Sequence, residues 1–123
     1  MTNKLKVGDV FDWLLQIEGI KFMHIDSSNF QADEFKGLSA DVVCLCAVNY
    51  QNRKNYVKDI LSELKPKFII PCHWDYPFRS VEKPLKQFPK WLLNLEDFIG
   101  EINRFKSPEA QVILLPFNGK FYI

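Results

Sequence analysis

Apolar positions fall into short runs whose spacing separates strands from helices. Phe11-Asp-Trp-Leu-Leu-Gln-Ile17 and Ile20-Lys-Phe-Met-His-Ile25 are rich in β-prone side chains and are parted only by Glu18-Gly19. That pattern predicts a β-hairpin in which Gly19 supplies the positive φ of the turn. Asp26-Ser-Ser-Asn29 ends the second strand with short polar side chains that bond nearby backbone, and a turn or short helix from Gln31 to Lys36 closes at Gly37.

The middle of the chain is the most regular. Asp41-Val-Val-Cys-Leu-Cys-Ala-Val48 is apolar on both faces, as in a strand covered on both sides. Tyr56, Val57, Ile60, Leu61 and Leu64 then recur at helical spacing, with Asn52 as the expected cap and Pro66 as the stop. Lys67-Phe-Ile-Ile-Pro-Cys72 reads as a second buried strand. Strand, helix and strand in this order make a βαβ unit with parallel strands. A long loop is expected from Asp75 to Pro89 and a helix from Trp91 to Phe105 with Leu92, Leu95, Phe98, Ile99 and Ile102 on one face. Val112-Ile-Leu-Leu115 and Phe121-Tyr-Ile123 suggest a closing hairpin turning at Asn118-Gly119. The fold class is therefore α/β, a mixed β-sheet with helices on one face in the order ββ-βαβ-α-ββ.

Composition narrows the function classes. A chain of 123 residues is one unit, long enough to bury roughly two-thirds of its extended surface. Sixteen Lys and Arg against fifteen Asp and Glu leave a charge of +1, too little for a broad nucleic-acid or anionic-membrane footprint. No apolar run reaches the ~18–20 residues that span a bilayer, and the first residues lack a secretory h-region, so a cytoplasmic protein is expected. Cys44, Cys46 and Cys72 lie inside apolar runs and read as reduced core thiols. Cys44-x-Cys46 has no second pair and lacks zinc-site spacing. No phosphate loop or Gly-x-Ser-x-Gly elbow is present, and adjacent Ser27 and Ser28 are ordinary turn residues.

Two residues stand where catalytic groups collect in open α/β sheets, just beyond the carboxyl ends of strands. Asp26 follows one predicted strand and His73 another; if those strands are parallel, both emerge on one edge. A carboxylate and a neutral imidazole there suit a metal ion. His24, two residues before Asp26, shares its strand face and could orient it, though a structural role is the more frequent one for such a histidine. Asp75, two residues past His73, could fix the imidazole tautomer, and Trp74 borders the loop beside it.

Three segments together resemble the second half of metallo-β-lactamase-fold hydrolases: Phe22-Met-His-Ile-Asp-Ser-Ser-Asn29, Gly37-Leu-Ser-Ala-Asp-Val-Val-Cys-Leu-Cys46 and Leu64-Lys-Pro-Lys-Phe-Ile-Ile-Pro-Cys-His-Trp-Asp75. The resemblance covers nearly all of residues 1–123 but about half of the family's fold, one half of an αββα sandwich. It implies that His73 is the last histidine ligand and Asp26 the aspartate bridging two zinc ions. Ile25 stands where that family usually has Gly. The family's His-x-His-x-Asp-His signature and its further histidine belong to the missing part, because the chain holds His24 and His73 alone. The resemblance thus implies a contribution to a di-zinc hydrolase site completed elsewhere, with the 74–88 loop at the substrate mouth and no activity from this chain alone. It also implies an inner sheet face covered by a partner, either a second copy in a homodimer or a separately encoded N-terminal half. The competing reading is a non-catalytic remnant serving as a dimerisation or protein-interaction module. A small flavodoxin-like nucleotide binder is a third, without a phosphate loop to support it.

Overall fold

The computed structural model describes residues 11–28, 33–75, 80, 82–84, 86–116 and 118–123. A hairpin opens the described chain, β1 (Trp13–Ile17) and β2 (Ile20–Ile25), paired antiparallel from Trp13↔His24 to Ile17↔Ile20. Both central turn residues have positive φ, Glu18 at 51° and Gly19 at 83°. This is the backbone a two-residue hairpin turn needs, and the glycine lowers its cost.

β3 (Val42–Cys46), α1 (Tyr56–Leu64) and β4 (Phe68–Cys72) form the expected βαβ unit, and β3 and β4 are parallel. β2 is also parallel to β3, with His24 opposite Cys44. α2 (Leu95–Phe105) leads to a two-residue strand, β5 (Gln111–Val112), parallel to β4. The sheet order is β1-β2-β3-β4-β5, a mixed sheet. Asp41 ties three strand starts together: its carboxylate accepts from the Lys21 N–H, its N–H donates to the Lys21 carbonyl, and its own carbonyl accepts from Lys67 and Phe68.

Both helices pack on one face. Met23, Ile25, Val43, Leu45 and Ile69 point from the sheet into a core shared with Tyr56, Val57, Ile60, Leu61 and Leu64 of α1 and Leu95, Phe98 and Ile102 of α2. Among the described residues, the opposite face has no such cover on the hairpin. Trp13, Leu15 and Ile17, which share that face through their pairing with β2, are 58%, 51% and 57% exposed. Near β4 the same face is partly covered by the C-terminal segment, whose Phe121 ring lies 5.3 Å from that of Phe68.

Three local expectations are corrected. Asn52 does not cap α1; it lies in a single 3₁₀ turn (Tyr50–Asn52) and bonds the Asn49 side chain, while Asn55 stands at the helix start with φ 61°. The second helix starts at Leu95 and not at Trp91, because the Asn94 side chain accepts the Asp97 N–H and caps it there. The closing hairpin is absent among the described residues: β5 ends at Val112, and 121–123 carry no strand. Gly119 sits at a tight turn beside Pro116, but Phe121 is drawn onto Phe68 and away from β5. Gln31, part of the expected turn before Gly37, lies outside the described residues, as do residues 76–79, 81 and 85 of the long loop.

Candidate metal centre

Parallel pairing of β2, β3 and β4 sends their carboxyl ends to one edge of the sheet, and the candidate ligands meet there. Asp26 follows β2 directly and His73 follows β4; Oδ1 of Asp26 is 3.2 Å from Nε2 of His73. The two side chains come from strands that are not neighbours, with β3 between them. His73 bridges that gap by taking a left-handed backbone, φ 55°. Such a conformation is uncommon for a residue with a Cβ, although histidine tolerates it better than most. It breaks the strand's alternation and swings the imidazole back over the sheet edge.

His24 completes the group. Its ring is edge-on to that of His73 with centroids 6.5 Å apart, and one ligand atom each from His24, Asp26 and His73 all lie within 4.8 Å of one another. The spacing fits a small cation. Bonds of about 2.0–2.1 Å in a tetrahedron put donor atoms roughly 3.3–3.4 Å apart, and the Asp26–His73 edge is already close to that. Two imidazoles and a carboxylate are a three-ligand set of the kind that leaves a fourth position for water. The site is open: the side chains of His73 and Asp26 are 49% and 44% exposed. Asp26 and His73 also line a cavity of about 340 Å³ with Ser27, Ser28, Asn49 and Arg53. A cationic guanidinium on that wall complements an anionic group held near the cluster.

No protein-family model, curated protein or solved structure matches this chain.

The remaining sequence candidates fall elsewhere. Trp74 is half-buried against the hydrophobic core, and its carbonyl accepts the Phe88 N–H at 3.4 Å. Asp75 forms an isolated bridge with Gln87 and is not a member of the ligand group. Among the described residues the donors form one three-residue group, hence one metal position.

One contributor escaped the sequence reading. Asp12 Oδ1 accepts the backbone N–H of Asp26 at 3.1 Å and so holds the strand end that presents the carboxylate. Burial raises the Asp12 carboxyl above its ordinary range; the negative charges of Glu34 and Asp26 add to this, and the Asp26 N–H opposes it. The signal was present in the hairpin register. A two-residue turn at Glu18-Gly19 pairs Trp13 with His24, so Asp12 falls one step further on, beside the end of β2.

The cysteines divide into two kinds. Cys46 is buried, burial pushes its thiol up, and its carbonyl accepts the Tyr56 hydroxyl at 2.9 Å. Cys44 and Cys72 are only half-buried, on the face away from the helices, which corrects their placement in the core. They lie on one face of neighbouring strands; the Cys72 side chain lowers the Cys44 thiol below its usual range, and the Cys44 side chain together with burial raises that of Cys72.

Proposed function

We propose that this chain is a metal-binding α/β domain which holds one zinc ion with His24, Asp26 and His73 and supplies that ion to a hydrolytic site. The observation that carries the reading is the convergence of three ligand atoms within 4.8 Å from the ends of two strands and one strand face. Three donors are what a catalytic zinc site requires, and the third, His24, makes the chain a better ligand than two strand-end residues alone. When bound, the ion lowers the pKa of its water towards neutrality and so supplies the nucleophile for ester, lactone, amide or phosphoester hydrolysis. His24, Asp26 and His73 hold the ion, Asp12 fixes the backbone that aims Asp26, and Arg53 offers a cation to an anionic substrate group.

The finer reading is the C-terminal half of a metallo-β-lactamase-fold hydrolase, in which Asp26 bridges to a second zinc whose other ligands come from a first half. The uncovered face at Trp13, Leu15 and Ile17 supports it, since each half of such a sandwich buries its inner sheet face against the other. The partner is a second copy or a separately encoded N-terminal half.

Solution mass together with zinc content after dialysis tests this on the full chain. The reading expects one zinc per chain and a two-chain mass, or a one-chain mass that rises on adding a first-half partner. A zinc-free one-chain species contradicts it. Zinc-free pairs would favour the dimerisation-module reading.

A further inference from the structure

A second cavity opens beside the metal centre and shares a wall with it. Val48 and Asn49 line both the cavity of about 340 Å³ at Asp26 and His73 and a neighbouring one of about 430 Å³. These two residues leave β3 at the same sheet edge that carries the ligands. The β3–β4 ladder runs one step past the strands, because the Ala47 N–H donates to the Cys72 carbonyl at 2.8 Å. The start of the shared wall is thereby held next to His73.

The far wall is tied to the ligand loop by backbone. Trp74 follows His73 directly, and its carbonyl accepts the Phe88 N–H at 3.4 Å, while Asp75 bridges Gln87. Trp91 and Leu92 then stand in a turn closed by the Pro89 carbonyl, which accepts from the Leu92 and Leu93 N–H groups. Gln51 joins the two walls, its Nε2 donating to the Leu92 carbonyl at 3.2 Å. Asn52 donates to the Asn49 side chain. Both amides therefore brace the cavity.

The lining chemistry selects the guest. Among the described residues no Asp, Glu, Lys, Arg or His lines the larger cavity, whereas Asp26, Arg53 and His73 line its neighbour. Phe88 and Trp91 supply rings, and Leu93 beside them is buried in the core. Trp91, Leu92 and Val48 are 83%, 46% and 42% exposed, so apolar surface faces water at this mouth. The volume lies within the roughly 300–1,000 Å³ of small-molecule pockets. Two aromatic side chains favour a ring over a flexible chain, because rings gain from offset or edge-on stacking beyond the area they bury. A chain also loses rotamer freedom on being held.

We infer that this cavity is a subsite for an uncharged aryl group on the substrate of the metal centre, an assignment that rests on the function proposed above. The substrate class is a small molecule with its hydrolysable bond at the His24–Asp26–His73 end and a neutral ring against Phe88 and Trp91. Trp91 sets the specificity, since it offers the largest exposed apolar side chain of the lining.

Carboxylic acids that mimic a hydrolysis product test this on the zinc-loaded full chain. Acetate, phenylacetate, phenylpropionate, phenylbutyrate and straight-chain acids of equal carbon number are titrated by calorimetry, with zinc content measured on the same samples. At least one phenyl acid is expected to bind tighter than acetate by roughly tenfold or more, the scale on which apolar pockets discriminate. Its straight-chain counterpart should fall short of it. Trp91→Ala should erase the phenyl preference at unchanged zinc content, and Trp91→Phe should restore most of it. Equal affinity for phenyl and straight-chain acids, no gain over acetate, or a phenyl preference that survives in Trp91→Ala overturns the inference and leaves the zinc site standing. A wild-type chain that takes up no zinc overturns the proposed function, and this assignment with it.

Discussion

Asp26 and His73 are 47 positions apart in the chain, yet their Oδ1 and Nε2 atoms stand 3.2 Å apart. The contact rests on two features of the backbone. Parallel pairing of β2, β3 and β4 sends both strand ends to one edge, and the left-handed turn at His73 lets it reach across β3.

Substitutions at this pair should separate ligation from folding. His73→Asn keeps a residue that tolerates left-handed backbone while removing the imidazole. Its zinc affinity should fall by more than about a hundredfold, beyond what outer-shell losses cost, with an unchanged far-ultraviolet spectrum. Asp26→Asn should behave alike. Isothermal titration with zinc measures both.

Asp12 should act more weakly. Asp12→Ala removes the acceptor for the Asp26 N–H and leaves all three ligands in place. Zinc affinity should drop by about tenfold, the scale of an outer-shell contact. Asp12→Asn, which still offers an oxygen, should restore most of it. Equal losses in the two variants would show that charge, and not the hydrogen bond, is what matters.

Tyr56 gives a pH signature of its own. Its hydroxyl donates to the buried Cys46 carbonyl at 2.9 Å, and burial drives its pKa well above the usual tyrosine value. A folded pKa raised above the unfolded one contributes stability that is complete below about pH 10 and drains away as pH rises beyond it. Tyr56→Phe should cost about 1–3 kcal/mol at pH 7, since it leaves the carbonyl without that donor. The wild-type advantage should shrink above pH 10, because the variant has no proton to lose there. Urea unfolding at pH 7 and pH 10.5 checks the sign.

The uncovered face should govern association. Leu15→Lys with Ile17→Lys places two charges where exposed apolar side chains now stand on β1. A two-chain species should revert to one chain in sedimentation velocity, with zinc stoichiometry unchanged. Cys44→Ala, by contrast, should cost on the order of 1 kcal/mol and leave zinc content intact.

What the sequence disclosed follows from how locally each feature is encoded. Glu18-Gly19 between two β-prone runs specifies its hairpin alone, and Pro66 with the 3.6-residue spacing of Tyr56 to Leu64 specifies α1. The meeting of Asp26 and His73 was legible as a condition: both follow predicted strands, but the βαβ order makes β3 and β4 parallel and leaves the direction of β2 open. His24 was harder. Its place on β2 was clear, but whether it reaches the cluster depends on where the His73 ring lands, and that is set by a left-handed residue no pattern announces. The C-terminal hairpin misled because Val112 to Leu115 is apolar enough for a longer strand; parallel pairing to β4 takes only Val112 of it, with Gln111 before it, and Phe121 packs on Phe68. The two kinds of cysteine were hidden because Cys44 and Cys46 share one face of β3, so alternation does not separate the buried thiol from the half-buried one.

Zinc titration of the wild type beside His73→Asn is the most direct measurement of the central claim, that three side chains from the ends and face of a parallel sheet make one metal centre. The account predicts one zinc per wild-type chain and its loss in the variant, with both proteins equally folded. Equal zinc affinity in the two, or no zinc bound by either, would contradict it.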